Sequence, residues 1–204
     1  MTKKTVTNLN RGTKSELKMV LKILKSGIKS TAIFHDIYLN NGSGKYCQID
    51  LVVATKVGIV VFEIKEYSGW IFGSENQINW TQILAYGKQK FKFYNPILQN
   101  KKHVEDLKKF YHFDGIPVFS MIVFFGDCEF KNLIDLPSRT FLTKSNNVMN
   151  IFNEILQSNQ PAKYENKWEI ANLLKQAVKN GENSIIRYKH IENIQKLKTR
   201  NRFN

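Results

Sequence analysis

Two long apolar runs joined by a short connection constrain this sequence most. Residues 46–54 read YCQIDLVVA and residues 59–67 read IVVFEIKEY, and both are rich in β-branched and aromatic side chains. The connection TKVG (residues 55–58) is so short that the two runs predict an antiparallel hairpin. Each run also carries an acid, Asp50 in the first and Glu63 in the second, where a buried strand would ordinarily be apolar.

The positions of these acids predict a charged cluster inside the sheet. Alternate side chains of a strand share a face, so Glu63 and Lys65 point the same way. If the strands pair across residues 55–58, Asp50 falls roughly opposite Glu63. Two neighbouring carboxylates repel each other unless a divalent cation lies between them, and oxygen-only ligands favour Mg²⁺ or Mn²⁺ over zinc. A lysine beside such a metal can orient water and stabilise charge at a phosphate.

A surface Glu–Lys pair at an ordinary strand end is the alternative explanation for Glu63 and Lys65. Asp50 argues against it, because burying an acid inside CQIDLVV is costly unless something binds it.

The remaining chain alternates between helical and strand patterns. Helical spacing predicts a helix over residues 13–26 and another that begins at Asn95 and Pro96. The run at 116–125 predicts the most buried strand, and GDCEFKNL (126–133) reads as a loop. Further predicted elements are strands at 31–39 and 139–143 and helices at 147–158, 165–179 and 184–200. This order predicts an α/β sandwich of a mixed sheet with flanking helices.

Basic residues are concentrated at the two ends of the chain, whose formal net charge is +14. Residues 1–30 hold eight Lys or Arg and one acid, and residues 160–204 hold ten and four. Clustered cations favour a polyanion such as nucleic acid, although a solvated basic surface would give the same composition.

Cysteine content and hydropathy restrict the class of protein further. The two cysteines, Cys47 and Cys128, are too few for a disulfide framework or a zinc cluster. No apolar segment of signal-peptide type opens the sequence, and its longest apolar run is too short to span a bilayer. We therefore expect a cytoplasmic protein without membrane association.

Two motifs resemble those of a known family. Asp50, Glu63 and Lys65 resemble the core of the PD-(D/E)xK nuclease superfamily. EIKxxSGxIxG from Glu63, followed by NPxxQxxxH from Asn95, resembles the nuclease-related domain (NERD) family over about residues 13–125. This resemblance implies a restriction-endonuclease-like fold, with a central mixed β-sheet flanked by α-helices. It divides the chain into a nuclease domain at 1–144 and a basic helical extension at 145–204.

The resemblance also implies roles for individual residues in a Mg²⁺- or Mn²⁺-dependent site. Asp50 and Glu63 would be metal ligands, and Glu16 would complete the metal shell directly or through water. Lys65 would orient the attacking water, and Gln99 would contact that water, Lys65 or a phosphate.

The sequence departs from the family pattern at two positions. Leu51 stands where members often have a histidine after the strand aspartate, and Ser15 stands where a glycine often precedes the helix acid. Neither change removes a metal ligand. Glu16 has a second interpretation as an ordinary exposed helix residue with lysine neighbours.

Other residues are candidates for contacts with nucleic acid. His103 follows Gln99 by one helical turn and would touch the site or DNA, although a buried, hydrogen-bonded histidine fits equally well. In KQKFKFY, basic and aromatic residues alternate, so Lys88, Lys90 and Lys92 could follow a phosphate backbone.

The leading hypothesis is a Mg²⁺-dependent nuclease acting on DNA. One alternative is a nucleic-acid-binding module of the same fold that cleaves weakly or not at all. Another is an interaction subunit whose basic helices bind a protein. A homodimer is compatible with such a fold.

Overall fold

The computed structural model describes residues 6–40, 44–84, 87–111, 113, 115–132 and 136–200. Within them, no helix is long and apolar enough to cross a membrane. The helices are α1 (Lys14–Lys25), α2 (Pro96–Tyr111), α3 (Val148–Ser158), α4 (Lys167–Glu182) and α5 (Ser184–Arg200). The strands are β1 (Ile33–Asn40), β2 (Tyr46–Thr55), β3 (Gly58–Lys65), β4 (Gly69–Phe72), β5 (Asn79–Leu84), β6 (Gln89–Tyr94), β7 (Val118–Phe124), β8 (Cys128–Lys131) and β9 (Thr140–Lys144).

A five-stranded mixed sheet forms the centre, in the order β1-β2-β3-β7-β9. The first three strands are antiparallel, and β3, β7 and β9 run parallel. The predicted hairpin is confirmed, with Thr55 opposite Gly58 and Leu51 opposite Phe62. Gly58 has a φ of 142°, and a Cβ there would lie 2.2 Å from the Pro117 carbonyl oxygen, so only glycine fits this turn.

A smaller four-stranded sheet, in the order β6-β5-β4-β8, lies beside the central one. The loop predicted at 126–133 is wrong in part, because Cys128–Lys131 forms β8 and pairs in parallel with β4. Its strand conformation follows from backbone pairing with β4, because a segment of four residues is too short to show a hydrophobic period. Trp80, on β5, is fully buried and packs with Ile71, Ile97 and Phe124 between the two sheets.

Helices cover both faces of the central sheet. Residues of α1 and α3 pack with Phe62 on one face, and residues of α2 and α4 pack with Val61 on the other. Burial on both faces explains why these strands are nearly continuous apolar runs. The predicted mixed sheet with flanking helices is confirmed. The buried residues that α4 adds to the core are Ile170, Leu174 and Ala177.

Asn95 holds the start of α2 and thereby positions the rest of that helix. Its side-chain amide donates to three carbonyls of the loop between β4 and β5, and its Oδ1 accepts from the Ile97 N–H at 2.8 Å. Asn95 is completely buried.

We expect Asn95→Ala to lower the free energy of unfolding by about 2–4 kcal/mol. The substitution removes a helix cap and leaves buried carbonyls without their hydrogen-bond donor. Chemical denaturation measures this change. Asn95→Asp is the matched variant, since it keeps the cap acceptor and loses the amide donors. Equal stability of Asn95→Ala and wild type would show that the loop and helix do not depend on this side chain.

Candidate active site

Adjacent strands place Asp50 and Glu63 beside each other. The register that pairs Leu51 with Phe62 places the next positions, Asp50 and Glu63, beside each other at the point where the pairing of β2 with β3 ends. The Asp50 Oδ2 accepts a hydrogen bond from the Ile64 N–H at 2.8 Å, which fixes the carboxylate against β3. The face they occupy is the one that α2 covers.

Lys65 links β3 to α2. Its Nζ lies 2.6 Å from Glu63 Oε1 and donates to Gln99 Oε1 at 3.0 Å. Glu63 is almost completely buried, whereas the Lys65 side chain keeps 19% of its surface exposed. The predicted Gln99–Lys65 contact is present, because Asn95 and Pro96 start α2 at a point that puts Gln99 over the strand end.

His103 occupies the next turn of α2 and touches the same carboxylate. Its Nε2 lies 3.3 Å from Glu63 Oε2, without the geometry of a normal hydrogen bond. Its Nδ1 lies 3.0 Å from the Cys47 Sγ. Burial opposes the charged form of His103, yet its contacts with Cys47 and Glu63 raise its pKa to about 10. Sequence reasoning missed Cys47, because nothing in the sequence pairs β2 with this turn of α2.

Glu16 lies at the N-terminal end of α1 and is buried, which excludes the exposed-residue interpretation. It completes a capping box with Thr13, whose hydroxyl accepts from the Glu16 N–H. Its Oε2 lies 3.1 Å from Nε2 of His35, a buried residue that also contacts Thr7. Glu16 is therefore fixed in orientation by groups on both sides.

The three acids interact electrostatically. Burial, then the charges of Glu63 and Glu16, raise the pKa of Asp50 well above its ordinary value. Burial also acts to raise the pKa of Glu63, but His103 and Lys65 outweigh it, and the pKa is lowered. Burial acts to lower the pKa of Lys65, yet Glu63 and Asp50 raise it overall. The lowered pKa of Glu63 and the raised pKa values of Lys65 and His103 all favour the ion-paired form of this cluster.

A cavity of about 700 Å³ opens beside Asp50 and Glu16. Its wall includes Asp36, a residue that no sequence motif indicates. Asp36 has a φ of 50°, in the left-handed region, and its carboxylate accepts from Arg11 at 3.0 Å and from Gln48 at 3.1 Å. Gln48 also reaches Asp50 Oδ1 at 3.5 Å. Arg11 and Asp36 therefore brace the side chains next to Asp50.

The oxygen atoms of the acids are largely engaged by protein groups. In the part of the chain that the structure describes, no three His, Cys, Asp or Glu residues are arranged to hold a metal ion. Glu63 contacts Lys65 and His103, Asp50 contacts the Ile64 amide, and Glu16 contacts His35. The donor type nevertheless suits a hard cation, because all three are carboxylates. The buried Glu63 Oε2 also lacks a normal hydrogen bond.

The predicted lysines lie on or next to β6 of the smaller sheet, whereas Asp50 and Glu63 lie on the central sheet. Lys90 and Lys92 are exposed on β6, at the edge of the smaller sheet, and Lys88 is exposed just before it. On the alternate face, Phe93 stacks on Tyr67 at 4.3 Å between ring centroids. The basic side of β6 therefore faces solvent.

Comparison with known proteins agrees with the motifs of the sequence. Residues 11–125 match the family described as the nuclease-related domain, and the chain belongs to that family. It is also 34% identical over 117 residues to an uncharacterized protein of Bacillus anthracis. That match covers 57% of this chain and 54% of the relative, so the chain spans about half the length of the relative it matches. No solved structure gives a significant match. The family indicates a nuclease-related function.

Proposed function

We propose that this protein is a metal-dependent nuclease that hydrolyses phosphodiester bonds, with DNA as the substrate. The observation that carries the proposal is the position of Lys65, held between Glu63 and Gln99 beside Asp50. A surface ion pair would not need the buried Glu63 and the half-buried Asp50 on adjacent strands. Membership of the nuclease-related domain family supports the same reaction class.

Three carboxylates would hold the Mg²⁺ or Mn²⁺ ion, namely Asp50, Glu63 and Glu16. When bound, such an ion lowers the pKa of a coordinated water and neutralises charge that develops on phosphate. Asp50 and Glu16 line the cavity of about 700 Å³, so a ligand in the cavity could approach them. Glu63 holds Lys65 in place from the protein side.

Lys65 and Gln99 would act on water and phosphate oxygens. The Nζ of Lys65 carries three donors, of which Glu63 and Gln99 occupy two. The third can donate to a water or to a phosphate oxygen. Gln99 fixes the direction of the ammonium group, because it accepts from it at 3.0 Å.

Charge supports a nucleic acid as the substrate. The net charge of +14 and the exposed Lys88, Lys90 and Lys92 favour a polyanion. Residues 1–5 and 201–204, which add to the basic ends, lie outside the described part of the chain. Action in the cytoplasm, a homodimeric state, and the domain division at 144 and 145 stay predictions.

A cleavage assay tests the proposal. We expect the full chain to cut supercoiled, linear or single-stranded DNA with Mg²⁺ or Mn²⁺ and to lose this activity in EDTA. RNA in parallel reactions identifies the substrate class. Cleavage that persists in EDTA would contradict the metal requirement, and cleavage of RNA alone would contradict DNA as the substrate.

A binding module that does not cleave is the second candidate. The observation in its favour is that protein groups already engage the carboxylates of Asp50, Glu63 and Glu16. Salt-sensitive DNA binding without cleavage under any metal condition would support it over the nuclease.

A further inference from the structure

Two arginines line the cavity beside Asp50, and all three nitrogens of the Arg11 guanidinium donate hydrogen bonds within the fold. Its Nε donates to Asp36 Oδ2 at 3.0 Å, its Nη1 donates to the Val178 carbonyl at 3.2 Å, and its Nη2 donates to the Asp36 carbonyl. Arg11 is also buried. It ties α4 to β1 and has little capacity for a ligand.

Arg187, near the start of α5, is different. Its Nη1 donates to the carbonyls of Gly181 and Glu182, at 2.7 and 3.1 Å. Among the described residues, its Nε and Nη2 take part in no hydrogen bond, and Arg187 is only half-buried. A guanidinium has five N–H donors in a rigid fork. Arg187 is therefore anchored on one side and retains donors for another group.

The junction between α4 and α5 is fixed against the cavity wall. A Cβ at Gly181 would lie 2.0 Å from Arg11 Nη2 and 2.7 Å from the Asp36 carbonyl oxygen, so α4 approaches as closely as a glycine allows. Asn180 Nδ2 also donates to the Tyr38 carbonyl at 2.9 Å. Arg187 is consequently held at a defined place on the cavity.

The charges of the cavity wall make this arginine distinctive. Four acids line the cavity, Glu16, Asp36, Asp50 and Glu182, and Arg11 already pairs with Asp36. Of the described residues on this wall, Arg187 is the one cation outside an ion pair. An anion that enters next to the acids needs such a positive group or a bound cation.

We propose that Arg187 binds a backbone phosphate of the nucleic acid at this cavity. On this proposal α4 and α5, which follow the family match at 11–125, form part of the substrate site in addition to covering the sheet. This inference rests on the proposed nuclease function. A purely structural role, in which Arg187 only caps the C-terminal end of α4, is the alternative.

Point variants are the right test, because α4 buries Ile170, Leu174 and Ala177 in the core and its removal would expose that core. Arg187→Gln removes the charge and the fork, and Arg187→Lys keeps the charge alone. Lys189→Gln is the matched control, since Lys189 is exposed on the same helix and does not line the cavity. The affinity of each full-length variant for a short fluorescein-labelled DNA duplex is measured by fluorescence anisotropy, in Ca²⁺ and over a range of KCl concentrations.

We expect Arg187→Gln to weaken DNA binding about tenfold and to reduce the slope of log K against log salt by about one. Arg187→Lys should keep the slope and recover part of the affinity. Lys189→Gln should change the affinity by less than about threefold, because an exposed charge contributes little. In Mg²⁺, Arg187→Gln should raise KM more than it lowers kcat.

The outcomes separate this inference from the function on which it rests. If wild type binds and cleaves DNA but Arg187→Gln changes only the melting temperature, Arg187 is a helix cap and the inference fails. The same holds if Lys189→Gln lowers affinity and slope as much as Arg187→Gln does. If wild type neither binds nor cleaves DNA, the proposed function fails and the inference fails with it.

Discussion

We expect replacement of Lys65 with alanine to lower the rate of the proposed DNA cleavage by about 10²–10⁴-fold, the range for removal of a group that transfers a proton or stabilises charge. The side chain sits at the centre of the cluster, 2.6 Å from Glu63 and 3.0 Å from Gln99. Its loss removes the positive charge beside the carboxylates. It also removes the ammonium group that Gln99 orients by accepting its hydrogen bond. Steady-state cleavage of a labelled DNA in Mg²⁺ measures the effect.

Stability must be followed in the same variant. Glu63 is 1% exposed and, among the residues that the structure describes, keeps His103 as its one charged partner when Lys65 is absent. Removing one member of a buried pair costs about 3–5 kcal/mol, so the assay temperature must lie below the melting temperature of Lys65→Ala. Lys56→Ala is the control, because Lys56 is an exposed lysine in the β2–β3 turn and is not part of the candidate site. A folded Lys65→Ala that cleaves at the wild-type rate would remove Lys65 from the mechanism.

Local patterns were sufficient to predict the hairpin and the position of its charges. β-branched runs on either side of TKVG leave one antiparallel pairing, and that pairing puts Asp50 beside Glu63. Asn95 and Pro96 similarly fix where α2 begins, which carries Gln99 to Lys65. These predictions succeed because each depends on a short segment and a fixed geometric period. The catalytic and metal roles of these residues stay predictions.

Contacts between distant segments could not be predicted in the same way. Arg11 meets Asp36 and Val178, and Cys47 meets His103, only after the helices have packed on the sheet. No period or spacing in the sequence encodes such pairs. The strand at Cys128–Lys131 is also defined by its partner β4, because four residues carry too little pattern of their own.

The position of Arg187 at the cavity is another contact between distant segments that the sequence could not predict, and the proposed phosphate contact depends on it. In sequence it is one cation among ten in residues 160–204, and a solvated basic helix explains it adequately. In the fold, the close approach of Gly181 to Arg11 brings the α4–α5 junction to the acid-lined cavity. Packing therefore places Arg187 at the cavity, an environment that distinguishes it from a basic residue on a solvated helix.

Glu63→Gln is expected to abolish detectable cleavage and to weaken Mn²⁺ binding by at least about tenfold, because it replaces a charged oxygen ligand with a neutral amide of the same shape. Calorimetric titration of the full chain with Mn²⁺ measures the second effect without any need for activity. Glu63 is the residue to change, since it is the acid that joins Asp50, Lys65 and His103 in one network.

Glu66→Gln provides the matched control for this substitution. Glu66 lies just beyond β3 and is exposed, where it accepts a hydrogen bond from the Ser15 hydroxyl at 2.6 Å. It loses the same charge three residues further along the chain, so a general electrostatic effect would appear in both variants. Unchanged Mn²⁺ affinity in Glu63→Gln would exclude Glu63 as a ligand. Lost cleavage with that affinity intact would instead assign Glu63 to holding Lys65 and His103, because the substitution also removes its ion pairs with these two residues.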